Sequence, residues 1–447
     1  MKYLILGNSA AAVSAVDAIR SIDKCGNITM VSPESSNAYG TPLISYVLKG
    51  DVHQCNADIR DEKWYETNGV TCVFGEGKAA ISIDVSAKEV ALEDGSKLEY
   101  DKLLVACGSM PVQPDVQGLP DDAPNSFTFN TMQDTRDILS YLGNELAEKR
   151  ESGQRINVVI SGSGLIGAKA AEGICEHVST TYLVGHAKRP LRKLLDDEAA
   201  AILTGIMEEH GIVNVPATVV ESVQTNNSKH VTSVTLSNGE TLPCDILITA
   251  IGVRPNVAML QNAGAKINRG VVCNEYMETS LKDIYAAGDV ANTHNTLLGE
   301  DAPLALWPTA QQQGRIAGLA MAGNMDEHFD GSFARNAVGF FHEINILGCG
   351  IINPQEVKNN DGIESIIYKD EDANSYCKFN IRDGKLVGYL LINRPDAAGV
   401  YTNIISKQIP LSEISQDIFQ RVPQVLDLPH KYRETVLYKT NDDRKEE

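Results

Sequence analysis

The chain is 447 residues long, with 39 Lys+Arg against 59 Asp+Glu, a formal net charge of −20. That length suggests roughly two to three domains, and 43% hydrophobic with 22% charged residues is ordinary globular composition, which argues against a largely disordered chain. The acid excess speaks against a nucleic-acid or anionic-membrane surface role, since both need basic surface, but leaves room for one local basic site.

No apolar run reaches the length of about 18 residues expected of a membrane span. The opening Met1-Lys2-Tyr3-Leu4-Ile5-Leu6-Gly7 breaks into glycine after a short apolar run, so no signal peptide is expected. Nine cysteines stand at 25, 55, 72, 107, 175, 244, 273, 349 and 377, with no C-x-x-C spacing. Structural zinc, cluster-ligand and dithiol readings therefore fail. The odd count and wide spacing suit reduced thiols in a cytoplasm. None of the nine histidines has metal-ligand spacing, so no metal is expected.

In chain order, Tyr3–Leu6 reads as a buried strand, Gly7 to Ala12 as a tight turn and Val13 to Ile22 as a helix. A second strand, Ile28–Val31, ends at Ser32-Pro33-Glu34, which completes a βαβ unit with an acid at the end of its second strand. The same grammar returns later: strand Ile156–Ile160, turn Ser161 to Gly167, helix Ala168 to His177, strand Thr181–Val184. Each unit is followed by a hairpin signal, at Asp94-Gly95 and at Asn238-Gly239. Each hairpin leads into a buried strand with a small-residue turn, at Ala106-Cys107-Gly108 and at Ala250-Ile251-Gly252. From about 326 the pattern changes to alternating strands such as Ser365–Tyr368 and Leu386–Ile392, a separate α+β domain. The tail at 441–447 is expected to fray.

The second glycine turn has the full G-x-G-x-x-G pattern at Gly162, Gly164 and Gly167. The first glycine permits the turn, the second lets backbone approach a pyrophosphate, and the third allows close helix–strand packing. The first turn is degenerate, with Gly7, Ser9 and Ala12 in those places. Glu34 strengthens it, because a carboxylate there can bind ribose hydroxyls; the alternative is a solvated loop acid.

With these motifs in place, the chain resembles the FAD-dependent pyridine nucleotide-disulfide oxidoreductases, nearest the branch with rubredoxin and ferredoxin reductases and NADH oxidase-like proteins. Ala106-Cys107-Gly108-Ser109-Met110-Pro111 resembles the family's ATG turn, and Ala250-Ile251-Gly252-Val253-Arg254-Pro255-Asn256 its second such turn. Ile284 to Val290 resembles its second FAD motif, whose aspartate, here Asp289, contacts the ribityl–pyrophosphate region. A helix N-cap is the other reading for Asp289, and the two are compatible. The resemblance covers residues 1 to about 320. It implies FAD held by Gly7, Ser9, Ala12, Glu34, Ala106, Gly108 and Asp289, with the helix carrying Ala310 passing under the flavin. It likewise implies NAD(P)H on Gly162, Gly164, Gly167 and Gly252. For Trp307, at the start of the Ala310 helix, packing is the favoured reading.

The departures narrow the function. Pro42 stands at the place of the family's redox cysteine, and proline supports no thiol chemistry. The nearest thiols are Cys55 and Cys107, and packing is the better reading for Cys107. Tyr46 replaces a lysine, and Lys169 a glutamate, so the family's lysine–glutamate pair near the flavin becomes Tyr46 and Lys169. Either Lys169 is a cation that favours anionic reduced flavin, or it snorkels to solvent. Gly185 stands where NADH-preferring relatives carry an acid, with His186, Lys188 and Arg189 following, which permits a 2′-phosphate unless those charges are mere surface. An acid restored at position 185 is expected to favour NADH.

The expected fold is α/β: two Rossmann-like dinucleotide-binding domains, FAD on 1–113 and 251–325 and NAD(P) on 114–250, and an α+β interface domain on 326–447. The expected activity is NAD(P)H:acceptor oxidoreduction through FAD, in either direction. The partner is an iron–sulfur or rubredoxin-like protein or the cluster-bearing subunit of a larger enzyme. The alternatives are a stand-alone quinone or nitro-compound reductase and a scaffold subunit with structural FAD. A homodimer through the C-terminal domain is the oligomer considered.

Overall fold

The computed structural model describes residues 1–358, 361–370 and 374–437. The tail expected to fray, 441–447, lies outside them. The described chain divides into two compact units, 1–190 with 204–332, and 191–203 with 333 onward.

The first unit holds two parallel five-stranded sheets of matching order. One runs Ile284–Ala286, Lys102–Val105, Lys2–Leu6, Asn27–Ser32, Val70–Phe74. The other runs Ser126–Thr128, Ile246–Thr249, Asn157–Ser161, Thr180–Gly185, Ile212–Pro216. All neighbours in both are parallel. Central strands such as Tyr3–Leu6 and Val158–Ser161 are buried throughout, which is why they read as unbroken apolar runs rather than alternating ones. Both hairpins form at the expected dipeptides. Glu89–Leu92 pairs with Lys97–Glu99, and Val231–Leu236 with Thr241–Pro243, all antiparallel.

Four helices of this unit matter for the site: α1 (Ala10–Ile22), α2 (Ile44–Lys49), α3 (Leu165–Cys175) and α4 (Trp307–Met321). Helices α1 and α3 begin inside the glycine turns, three residues earlier than their apolar periodicity suggests, so Ala12 is a first-turn helical residue. Helix α4 packs against α1 at backbone distance. A Cβ on Gly314 would lie 2.0 Å from Ala11 O, and one on Gly318 would lie 2.4 Å from Ala15 O.

The second unit is an antiparallel five-stranded sheet, in the order Arg335–Phe340, Ile344–Gly350, Lys385–Ile392, Ser375–Arg382, Glu364–Asp370, together with the Ala398–Ser406 helix. The α+β reading of this region holds. It also takes in 191–203, a segment expected within the nucleotide domain. Polar bonds invisible to periodicity explain this. Asp196 is buried and accepts from Tyr376 OH at 2.6 Å and Lys378 Nζ at 3.0 Å. Burial works to raise its carboxyl pKa, but those bonds and the Ala199 N–H outweigh it and leave it lowered. Asn353 Nδ2 donates to the Arg192 and Leu195 carbonyls.

Candidate functional site

The first glycine turn is a bare backbone cradle. Gly7 has φ +117°, and a Cβ on it would sit 2.2 Å from Ala106 O. Ser9 is the N-cap of α1, yet its side chain makes no capping bond, so it does not compete with an anion for the first-turn N–H groups. Gly108 follows Ala106 with φ +64°. The Asn256 N–H donates to Gly108 O at 3.0 Å, which ties the two expected family turns together. Cys107 in that turn is half-buried, and burial pushes its thiol up to about 11. Its Sγ donates to Asn256 O at 3.7 Å, so the packing reading holds.

Glu34 is half-buried at the end of the second strand. The Tyr39 hydroxyl donates to its Oε2 at 2.8 Å and accepts the Met132 N–H at 3.0 Å. Burial pushes the Glu34 carboxyl above its ordinary range, with the Tyr39 bond working against it. A solvated loop acid would show neither feature.

Asp289 follows the Ile284–Ala286 strand. No described helix begins there, and the next is α4 at Trp307, so the N-cap alternative for Asp289 is set aside. Its partner is Ser109, whose Oγ donates to Oδ2 at 3.1 Å, and burial raises its carboxyl pKa. Gly288 approaches Ala11 Cβ and Ala310 Cβ at 3.4 and 3.6 Å from its own ideal Cβ position, so the α1 turn, Asp289 and the start of α4 share one corner. Trp307 packs against the core of the first fold, as favoured from sequence. Gln313 was missed by the sequence reading. It is fully buried, accepts the Gly288 N–H at 2.9 Å and donates to Thr293 Oγ1 at 2.8 Å, clamping the turn that carries Asp289. Only its helical phase with Ala310 marks it out from the Gln311-Gln312-Gln313 run.

The second cradle repeats the first. Gly162 has φ +123°, and its Cβ would lie 2.2 Å from Ala250 O; a Cβ on Gly167 would lie 1.8 Å from Gly162 O. Gly164, the N-cap of α3, offers no side chain to its first turn. Gly252 follows Ala250 with φ +132° and open space around it. The two folds are joined by strand pairing of Ser109–Pro111 with Val253–Pro255 and by packing of α2 on α3, where a Cβ on Gly173 would lie 2.9 Å from Ser45 O.

Pro42 lies in a 3-10 turn, Thr41–Leu43, directly before α2. Lys169 does not run out to solvent. It is 9% exposed, its Nζ lies 4.2 Å from the centroid of the Tyr46 ring, and it ion-pairs with Glu172. The i,i+3 spacing of Lys169 and Glu172 could have shown this partner from sequence. Gly185 is closed to side chains, since a Cβ there would lie 1.9 Å from Ser163 Oγ and 2.5 Å from its Cβ. An acid at 185 would therefore displace Ser163, and that substitution tests packing as much as nucleotide choice. His186 and Lys188 are exposed.

Two phosphate-type cradles on twin parallel sheets, joined by strand and helix contacts, define a two-dinucleotide oxidoreductase. Residues 1–314 match the sequence family described as pyridine nucleotide-disulphide oxidoreductase, and the chain belongs to that family. Its cofactors are FAD and NAD(P)H, and both cradles fit them: bare backbone, uncapped helix starts and a half-buried acid beside the first. Among curated relatives, the chain is 26% identical over 432 residues to the assimilatory nitrate reductase electron transfer subunit of Bacillus subtilis (strain 168), covering 94% of this chain and 52% of that one. It is 28% identical over 417 residues to the NADH-dependent phenylglyoxylate dehydrogenase subunit epsilon of Aromatoleum evansii, covering 92% and 93%. The chain thus spans about half the length of the first relative and nearly all of the second. In fold it is similar to the chain in a crystal structure of a covalent putidaredoxin reductase–putidaredoxin complex, with TM-score 0.81, 22% identity and coverage of 98% and 99%.

Proposed function

We propose that this chain is an FAD-dependent NAD(P)H oxidoreductase that exchanges electrons with an external protein carrier, as the flavin subunit of a larger enzyme. The observation that carries this is the joining of two dinucleotide cradles in one unit with Pro42 at the relay position. Bound FAD supplies a hydride acceptor and NAD(P)H the hydride. The chain's part is to hold and orient. Gly7 and the α1 start take one pyrophosphate, Glu34 the adenosine ribose, and Asp289 with Ser109 the ribityl hydroxyls. Gly162, Gly164 and Gly167 take the other pyrophosphate.

The domain reading proposed is an FAD fold on 1–113 and 251–325, a nucleotide fold on 114–250 apart from 191–203, and an interface domain on 326–447 that includes that segment, supported by the two separate parallel sheets and the two compact units. An iron–sulfur or rubredoxin-like carrier is the partner class. The names of the two relatives, an electron transfer subunit and a subunit epsilon, support the subunit reading. No described helix is long and apolar enough to cross a membrane. A cytoplasmic setting is proposed on the nine free cysteines.

Anaerobic titration with NAD(P)H tests this. Full reduction should consume about two electrons per FAD, since one flavin takes one hydride. Alkylation of the exposed Cys25, Cys55 and Cys72 should leave both the stoichiometry and the rate of reduction intact. A four-electron end point, or loss of reduction on alkylation with FAD retained, would contradict the proposal. A wild type whose bound FAD is never reduced by NAD(P)H would favour a structural flavin.

Nucleotide choice is expected to rest on the loop after Gly185. Replacing Lys188 and Arg189 together by alanine should raise KM for NADPH about tenfold, about 1.4 kcal/mol of charge-assisted bonding, and leave KM for NADH nearly unchanged. Equal effects on both nucleotides would make these charges surface residues only.

A further inference from the structure

Among the described residues, four charged residues are buried as whole residues: Lys169, Glu172, Asp196 and Lys378. The last two anchor 191–203 within the second unit. The first two lie at the contact between α2 and α3. They sit on one helix, α3, and a buried ion pair is costly to keep, which marks this place as one where charge serves function.

Their place is specific. Gly173, on the same face of α3, touches the backbone of α2 at Ser45. Lys169 is one turn nearer the glycine cradle on that face, and its ammonium lies over the Tyr46 ring of α2 at 4.2 Å. It is five residues along the helix from Gly164, a rise of about 7.5 Å. The cation therefore stands where the helix of the second cradle meets the segment that follows the ribose acid of the first. Lys49 of α2 borders the same cluster, with Asp51 at 3.2 Å and Glu176 at 3.7 Å, and Glu172 also acts on it electrostatically.

We propose that Tyr46, Lys169 and Glu172 form a charge-setting wall between the two dinucleotide sites. Lys169 supplies the field, Glu172 is a positioning residue that holds the ammonium and offsets part of its charge, and the Tyr46 ring fixes its height by cation–π contact. This rests on the proposed function, in that it needs FAD bound at the first cradle. A buried charge within about one Debye length of a bound cofactor is screened far less than a surface one. Added negative charge on the cofactor is stabilised by Lys169 and opposed by Glu172. The pair thus sets the reduction potential as a difference of two opposed charges.

The test is a redox titration of the FAD-bound protein with a reference dye, at fixed pH and salt. Glu172→Gln should raise the midpoint potential and Lys169→Met should lower it, each by about tenfold in the two-electron equilibrium constant, or about 30 mV. Lys169→Met with Glu172→Gln should return close to wild type, which also covers either single variant failing to fold. Tyr46→Phe should match wild type, while Tyr46→Leu should shift the midpoint. FAD content from absorbance is measured for each. If the wild type takes up no FAD, the functional reading beneath fails. If it takes up FAD and the single and double charge variants all keep its midpoint, this inference alone is overturned. A shift in the same direction for both single charge variants would also overturn it, because opposed charges cannot produce it.

Discussion

Gly7→Ala is expected to abolish FAD retention, while Gly162→Ala keeps the FAD and abolishes its reduction by NAD(P)H. The argument is steric and applies equally at both places. A Cβ at either position would lie 2.2 Å from a carbonyl oxygen, Ala106 O or Ala250 O, each in the residue just past a parallel strand and tied to the neighbouring strand by its own N–H, to Leu6 O or Ser161 O at 2.7 Å. Each glycine also has a φ, +117° or +123°, that L side chains rarely adopt. The turn must open, and the helix start behind it turns away from the phosphate. A loss of about 3 kcal/mol or more in cofactor binding corresponds to more than a hundredfold in Kd. The measurement pairs flavin absorbance after gel filtration with anaerobic bleaching by NAD(P)H, and circular dichroism shows that each variant is folded. If Gly162→Ala sheds FAD and Gly7→Ala does not, the two cofactors are assigned to the wrong folds. If both variants behave as wild type, the turns are packing features.

The fold was legible because its signals are local. Two strand–glycine–helix units and two turn dipeptides are each set by a few adjacent residues, and each appears in the structure, whereas the Lys385–Ile392 strand read as alternating is buried almost throughout. The helix starts and the 191–203 excursion were not legible, because they depend on capping geometry and on Asp196 meeting Tyr376 and Lys378, about 180 residues away. The candidate site divides in the same way. Gly7, Gly162 and Gly167 carry the reason for their identity in the chain, and the structure adds the carbonyl each would strike. The Tyr46–Lys169 contact could be anticipated as an exchange of residue types, but the burial of Lys169 and the part of Glu172 emerge only from helix packing. Gln313 gives no sequence signal beyond helical phase, since its two bonds run to Gly288 and Thr293 in a different segment. Gly185 shows the reverse hazard: a missing acid reads as a nucleotide preference, while the side chain of Ser163 fills that space.

Asp289→Asn is expected to separate stability from function. Burial pushes this carboxyl above its ordinary range, and only the Ser109 hydroxyl acts to bring it back. In the sign of the linkage, a carboxyl whose folded-state pKa is raised favours the fold while protonated, and that contribution is lost as pH rises through the raised value. At neutral pH the apo-protein therefore holds a disfavoured charge at this position. An amide of the same shape removes the charge and can still accept from Ser109. The apo variant should melt roughly 2–4 °C higher per kcal/mol recovered at pH about 7, and the gain should shrink on acidification, where the wild-type carboxyl is also neutral. FAD retention should move the opposite way. A carboxylate accepting hydroxyl groups makes charge-assisted bonds worth about 1.5–3 kcal/mol, so their loss should weaken FAD binding roughly ten- to hundredfold. Thermal melts of apo-protein at two pH values and a flavin-binding isotherm for each form decide the matter. Unchanged FAD affinity would remove Asp289 from the cofactor site. A lower apo melting temperature at neutral pH would show that the charge serves the fold through Ser109 rather than waiting for the ribityl chain.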